Sequence, residues 1–480
     1  MRRRSLVRII LALSILALIS AIAAFFGRER IRGAVGLIAE RVVLSRLPAV
    51  DEATRSGFPN LLLVSVDTWR KSEVGFYEPS VPTTPHLDRR RAEFVRFDRA
   101  ISQAPWTAPA HLALFYSKLP PVAHWEWDAL SLTEILGHYG YATAAFTDGG
   151  WLGRGGGIDA GFDRLESPEG GGEHQMPLGE KLAQITSWLG EGVRDPFFLF
   201  VHSYHTHATY DPDADQLQRL YQGRYEGGFT GEIEQLLELN QRRLSGESPE
   251  VADSDVEYVR ALYRAEILEM DEFLEQLFSE LEARGLWDDM LVVVTSDHGE
   301  SFLERGFFEH GTGLYDELLN VPLLVKLPGK SAAAPRTVTT QVELLDLPPT
   351  LLDLIGITPP EDLEGKSFLS LLAGETGAPY DKRYARSAVA EIPHYGDAKQ
   401  SVRTEEWKYI FHPASGREEL YRLTADPEER RDLAEAHPEV VASFGELLQD
   451  PDRVEALESM TAPKLGDKDR EILRALGYIE

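Results

Sequence analysis

The sequence contains no cysteine. That excludes disulfides, thiolate metal sites and lipid attachment through sulfur, and it leaves the redox compartment open. Positive charge is also short: 49 Lys and Arg stand against 78 Asp and Glu, a formal net charge of -29. A phosphate backbone needs a basic counter-surface, so a nucleic-acid partner is excluded. Disorder is excluded as well, because 43% hydrophobic and 26% charged residues make a globular composition. At 480 residues the chain can hold one large domain and an appendage.

Uncharged apolar runs of membrane length are scarce, and one stands out. Arg2, Arg3, Arg4 and Arg8 precede the run Ile9 to Phe26. A helix of that length reaches roughly 27 Å, close to the hydrocarbon thickness of a bilayer. The run reads as an uncleaved amino-terminal anchor within residues 1–30, with a cleaved signal peptide at Ala21-Ile22-Ala23 as the alternative. Arg28, Arg30 and Arg32 follow it, so charge asymmetry does not orient it. Residues 31–57 read as a linker, and the remainder is expected outside the cytoplasm, held to a membrane.

The chemistry is concentrated where buried strands stop. Leu291-Val292-Val293-Val294 is apolar and rich in β-branched residues, as a strand buried on both faces requires. It ends in Ser296-Asp297-His298-Gly299-Glu300. Asn60 to Val66 has the same grammar and ends in Asp67. Ligands of open α/β sheets bind beyond the carboxyl ends of the strands, so two such endings bring Asp67, Asp297 and His298 to one crevice. Oxygen and nitrogen donors in that arrangement suit a divalent metal. Between them lies Trp106-Thr107-Ala108-Pro109-Ala110-His111, in which Pro105 and Pro109 bracket Thr107. A helix starting after Pro109 puts Thr107 at its amino terminus, either as a simple cap or as a hydroxyl facing an anion. Phe197 to Val201 is a further strand, running into His202-Ser203-Tyr204-His205-Thr206-His207, a solvated loop or a metal tract. His310, in Glu309-His310-Gly311, is a candidate general acid.

Taken in order, these motifs resemble the sulfatases of the alkaline phosphatase superfamily. Thr83-Thr84-Pro85-His86-Leu87-Asp88, Gly140-Tyr141-Ala142-Thr143-Ala144, Val321-Pro322-Leu323 and Glu419-Leu420-Tyr421 with Asp426-Pro427-Glu428 belong to the same ordered set, which spans residue 60 to the carboxyl terminus. The resemblance implies a large mixed, mostly parallel sheet sandwiched by helices over residues 58–376, and a small antiparallel α+β subdomain over 377–480. It implies a metal held by Asp67, Asp297 and His298 with Thr107 as fourth ligand and nucleophile, and His207 as a contact to the substrate's anionic group. Thr107 falls where the family carries the residue oxidised to formylglycine. Thr cannot become that aldehyde, so a metal-activated hydroxyl replaces it. One ion is expected, Mn²⁺ or Zn²⁺ before Ca²⁺, because the set includes an imidazole and Thr68 stands where many calcium sulfatases have an Asp. The chain also lacks the substrate-binding Lys common near Asp148.

Three functions follow from this. The first is a metal-dependent hydrolase of sulfate or phosphate esters on a glycan, lipid or small molecule. The second is an envelope transferase moving a phospho-substituent through the same Thr adduct. The third is a degenerate homologue that only binds. Elsewhere, Gly223 to Asp255 reads as a mobile surface segment or lid, and Val256 to Leu281 as one long amphipathic helix ended by Gly285. Val342 to Ile355 reads as a helix, Ser401–Arg403, Trp407–Phe411 and Glu418–Tyr421 as strands, and Asp426 as the start of a helical tail.

Overall fold

A computed structural model describes residues 57–119, 129–168, 175–329, 336–374, 385–389 and 397–448, with positions 44 and 47 ahead of them. The run Ile9–Phe26 lies outside the described residues, as do most of the expected linker and the chain after residue 448. Among the described residues no helix is long and apolar enough to cross a membrane.

The strands of the main body are β1 (Leu61–Val66), β2 (Val95–Ile101), β3 (Ala142–Phe146), β4 (Arg164–Glu166), β5 (Phe197–Ser203) and β6 (Leu291–Thr295). They continue with β7 (Ser301–Phe302), β8 (Phe308–Glu309), β9 (Asn320–Lys326), β10 (Arg336–Val338) and β11 (Val342–Glu343). Nine of them form one sheet in the order β10-β2-β9-β6-β1-β5-β3-β4, with β11 also on β2. Every pairing is parallel except those of β9, which runs antiparallel to both β2 and β6. The centre is apolar on both faces, as every residue of β1, β5 and β6 is buried.

Helices cover both faces. Leu62, Val64 and Val66 pack in one core with Ile185 and Trp188 of the helix Leu178–Gly190 and with Tyr263, Met270 and Leu274 of the helix Asp253–Ala283. The long helix therefore lies where its 3.6-residue stripe places it. On the other face the helix Thr107–Tyr116 sets Phe115 edge-on to Phe200 at 4.9 Å.

Three expectations are corrected. Gly223–Asp255 is not an open lid: it contains the helix Ile233–Leu244, with Ile233, Leu236, Leu237 and Asn240 buried. Its Glu-rich composition hides a stripe at the i, i+3, i+4, i+7 spacing of an amphipathic helix. Val342–Glu343 is strand β11, and a 3-10 turn over Leu344–Asp346 leads into the helix Leu347–Leu354, whose Pro348 and Pro349 suit a first turn. The tail stays irregular after Asp426 until a short 3-10 turn at Ala434 and the helix Pro438–Leu448.

The carboxyl-terminal sheet has four antiparallel strands, β12 (Ala385–Val389), β13 (Lys399–Arg403), β14 (Trp407–His412) and β15 (Arg417–Arg422). Ile410, Tyr421 and Leu423 of this part share a core with Trp106 and Trp151 of the main body. Asp316 binds Arg403 at 2.7 Å and Lys408 at 2.9 Å across the same seam. The two cations hold the Asp316 carboxyl far below its usual range against the opposing effect of burial.

Candidate active site

Register places the site. β1 pairs with β6 in parallel from Leu61↔Leu291 to Ser65↔Thr295, so Asp67 and Asp297 leave the sheet at the same level. β5 flanks the other side of β1, with Val66 opposite Ser203, and delivers the tract from Tyr204 to His207. Thr68, immediately after Asp67, has φ 53°, a left-handed conformation that is strained for a β-branched residue. It is held there by its hydroxyl on Thr206 O at 2.6 Å and by Tyr263, which donates to Thr68 O at 2.8 Å. Gly299 is required for a different reason: a Cβ there would stand 2.0 Å from the Glu317 carbonyl oxygen.

Thr107 is the first residue of its helix, and its hydroxyl caps nothing. Oγ1 donates instead to Asp67 Oδ2 at 3.0 Å. His298 Nε2 lies 3.4 Å from Asp297 Oδ2 and 3.9 Å from Asp67 Oδ1. Ligand atoms of Asp67, Asp297 and His298 all fall within 4.8 Å of one another, and all three side chains are buried. Thr107, at 3% exposure, is buried beside them. Asp67 Oδ1, Asp297 Oδ2 and His298 Nε2 have no hydrogen-bond partner. His298 Nδ1 donates to Gly299 O at 3.0 Å, which leaves Nε2 with its lone pair. Three orphaned donors with two carboxylates and one imidazole fit a divalent cation, and burying them otherwise is costly. Burial, followed by the neighbouring Asp297, pushes the Asp67 carboxyl up, and burial raises Asp297 to about 7. Burial, then His310, drives the His298 imidazole well below its usual value.

His207 and His310 stand beside this group. The His298 and His310 rings are 4.4 Å apart and the His310 and His207 rings 5.0 Å. His207 Nδ1 donates to Ala208 O at 2.6 Å, while His310 Nδ1 lies 3.3 Å from Glu300 Oε1. Burial lowers both imidazoles to about 3, so each is neutral at pH 7.

The structure adds residues that sequence reasoning did not assign. His111 Nδ1 donates to Thr107 O at 2.9 Å and Nε2 is 3.0 Å from Ser65 Oγ, which ties the Thr107 helix to β1. His202 Nε2 stands 3.4 Å from Asp67 Oδ2. Glu300 accepts from Tyr210 at 3.0 Å. The alternating histidines and the Asp-His-Gly-Glu run were the available signals, but neither says which member turns inward. His205 turns outward, to Glu269 at 2.7 Å.

A buried lysine is present after all. Lys181 Nζ lies 2.7 Å from Asp148 Oδ1 and donates to His202 O at 2.5 Å. It is thus committed behind the cluster, and Asp148 also accepts from Tyr204 N at 2.7 Å. Burial pushes the Lys181 ammonium down from its ordinary value. Lys181→Met leaves a buried carboxylate unpaired and is expected to cost about 3–5 kcal/mol in denaturant unfolding, most of it recovered in Lys181→Met/Asp148→Asn. Equal losses in the single and double variants would show that the pair is not what matters.

A cavity of about 830 Å³ lies between the main body and the carboxyl-terminal sheet, lined by Arg70, Arg260, Arg305 and Arg403 among others. These cations are paired, Arg70 with Glu304 at 2.6 Å, Arg305 with Glu317 at 3.2 Å and Arg403 with Asp316.

A parallel-centred sheet with this donor cluster at its carboxyl edge defines the alkaline-phosphatase type of ester-cleaving fold. The sulfatase family model matches residues 59–357, and the chain belongs to that family. The model for the carboxyl-terminal part of N-sulphoglucosamine sulphohydrolase matches residues 303–451. Mouse (Mus musculus) arylsulfatase K is 32% identical over 203 residues, which cover 41% of this chain and 36% of that protein. An N-acetylglucosamine-6-O-sulfatase of Bacteroides thetaiotaomicron is 32% identical over 180 residues, 36% of this chain and 31% of that protein. The chain thus aligns with only about a third of the length of these relatives. A structure solved with its substrate D-glucosamine-2-N,6-O-disulfate superposes with TM-score 0.69 at 20% identity, over 86% of this chain and 99% of that one. The phosphonate monoester hydrolase of Agrobacterium radiobacter superposes at 0.66 and 22% identity, over 85% and 98%. These likenesses establish the fold. The family in general binds a divalent metal ion.

Proposed function

We propose that the protein is a metal-dependent hydrolase of sulfate or phosphate esters in which Thr107 is the nucleophile. The observation that carries this reading is the Thr107 hydroxyl bonded to Asp67 at 3.0 Å instead of capping its helix. Asp67, Asp297, His298 and Thr107 would hold one divalent ion, Mn²⁺ or Zn²⁺ before Ca²⁺, with formylglycine absent. When bound, such an ion lowers the pKa of the Thr hydroxyl and offsets charge on the ester. Asp67 takes the Thr107 proton along the bond already formed. Oγ1 then attacks sulfur or phosphorus, and the bond to the ester oxygen breaks. His310 and His207 each take up a proton from solvent once an anion lies beside them; His310 passes its proton to the leaving alkoxide, while the second N–H so formed on His207 donates to a non-bridging oxygen. Water attacks the Thr adduct, releasing sulfate or phosphate and restoring the hydroxyl.

The related proteins named for sulfated glucosamine support an anionic glycan ester as substrate. The run Ile9–Phe26 supports an amino-terminal anchor and an extracytoplasmic catalytic body. An acceptor hydroxyl in place of water would make the same centre a transferase, a reading supported by the Thr adduct, which lacks the release route of an aldehyde hydrate. The binding-only reading is disfavoured because disuse has no reason to retain unpaired buried carboxylates. The test is turnover by the purified chain with Mn²⁺, Zn²⁺ or Ca²⁺ against aryl sulfates, phosphate monoesters and diesters, and phosphonates. At least one class should be hydrolysed, and only with a metal supplied. Absence of metal-dependent turnover or transfer with every class refutes the enzyme.

A further inference from the structure

A buried phenol ordinarily keeps its hydroxyl bonded, because the O–H gives up water on burial and needs a partner in return. Tyr204 departs from this. It is 2% exposed, and its hydroxyl has no partner at hydrogen-bond distance. The side chain is nonetheless fixed. Its ring stands edge-on to His202 at 4.7 Å and to His207 at 5.7 Å. Its backbone is held on both sides: N donates to Asp148 Oδ2 at 2.7 Å, and the carbonyl accepts from His207 N at 2.8 Å. Asp148 is in turn anchored by Lys181 at 2.7 Å. A rigid phenol thus carries an unused O–H into the centre of the site.

The group beside that O–H is the Thr107 side chain. Burial first, then Asp67 and Asp297, pushes the Tyr204 phenol well above its usual value, while the adjacent Thr107 hydroxyl acts the other way. Tyr204 therefore keeps its proton and has it to offer in a hydrogen bond. Thr107 Oγ1 has committed its own proton to Asp67 Oδ2 at 3.0 Å, so what it has left is acceptor capacity. Donor and acceptor face a single partner each.

We propose that Tyr204 is a further catalytic residue, whose hydroxyl donates to Thr107 Oγ1 while that oxygen carries negative charge. The inference rests on Thr107 as the nucleophile. Active-site hydrogen bonds that are long at rest tighten as charge develops, and this one closes on Oγ1 in that way. Its effect is greatest in the second half of the reaction. There water bonds to sulfur or phosphorus and gives a proton to solvent. The bond to Oγ1 breaks, its electron pair stays on Oγ1, and Oγ1 regains the proton that Asp67 took. An aliphatic alkoxide is a poorer leaving group than the phenolate of an aryl ester, so breakdown of the adduct needs the donor more than its formation does.

The test is Tyr204→Phe, which removes one oxygen and keeps the ring, its contacts and both backbone bonds. With an aryl ester turned over by the wild type, kcat should fall about 10²-fold, the loss typical of one oxyanion donor. The first equivalent of phenol should still be released in a burst, and intact-mass measurement during turnover should find the Thr107 adduct accumulated in the variant. Zn²⁺ affinity should be unchanged and the melting point no lower than that of the wild type, since the oxygen removed had no partner. Lost activity at undiminished stability is a combination that a merely structural hydroxyl does not give. An unchanged kcat, or a lower kcat with a lower melting point and no adduct, overturns the role of Tyr204; if Thr107→Ala is inactive in the same assay, the nucleophile stands. An active Thr107→Ala, or a wild type that turns over no ester, refutes the Thr107 reading and this inference with it.

Discussion

Thr107→Ala should abolish turnover of the best substrate, by on the order of 10⁴-fold or more in kcat, as removal of a nucleophile does elsewhere. The fold should survive. The Thr107 hydroxyl donates to Asp67 and caps no helix end. Losing it costs on the order of 1 kcal/mol. Thr107→Ser keeps both the hydroxyl and its bond to Asp67, so it should retain activity. The same chemistry sets an order among substrates. A phosphoryl group developing two charges draws more stabilisation from a divalent ion than a sulfuryl group developing one, so phosphate esters should be cleaved at least as fast as sulfate esters. Steady-state kinetics on matched aryl esters reads both expectations. If Thr107→Ala keeps most of its activity, the hydroxyl is not the nucleophile and the mechanism fails.

Asp297→Asn should remove metal-dependent activity while making the metal-stripped protein more stable. Asp67 and Asp297 are both fully buried and close to one another, without a cationic Lys or Arg in their described ion pairs. Burial raises the Asp297 carboxyl from its ordinary value to about 7 in the folded chain. The sign follows from linkage: between that ordinary value and about 7 the folded protein holds a proton that the unfolded chain has lost. The Asp297 contribution to the stability of the stripped wild type should therefore fall as pH rises from about 4 to about 7, opposite in sign to the contribution of the buried neutral imidazoles. The carboxamide does not ionise, so Asp297→Asn should lack that part of the slope and melt higher than the wild type near pH 7.5. Added metal should reverse the trend in the wild type, because the cation binds the ionised carboxylates and stabilises more at high pH. Thermal melts at pH 5 and 7.5, with chelator and with Zn²⁺, decide this. An Asp297→Asn variant whose melting advantage over the stripped wild type does not grow from pH 5 to pH 7.5, or that responds to Zn²⁺ as the wild type does, would rule out the arrangement.

What the sequence determined by itself was local and periodic. The apolar runs of β1, β5 and β6 could only be strands buried on both faces, and an Asp closing two of them marked the functional edge of the sheet. The stripe from Val256 to Leu281 required a long helix, whereas the helix expected to start after Pro109 begins at Thr107 and takes Pro109 into its first turn, where a missing N–H costs nothing. Tertiary structure decided what depends on partners distant in sequence. Only the β1–β6 register brings Asp67 level with Asp297. Only the β7–β8 hairpin, pinned by Asn240, returns Glu309 and His310 to His298 and sets them against His207. Sequence cannot say whether a carboxylate in a polar loop faces water or is buried without a donor, because nothing local differs between the two. The same holds for Lys181, an unremarkable helix residue until the fold buries it against Asp148, and for Val342–Glu343, whose strand exists only because β2 offers it an edge.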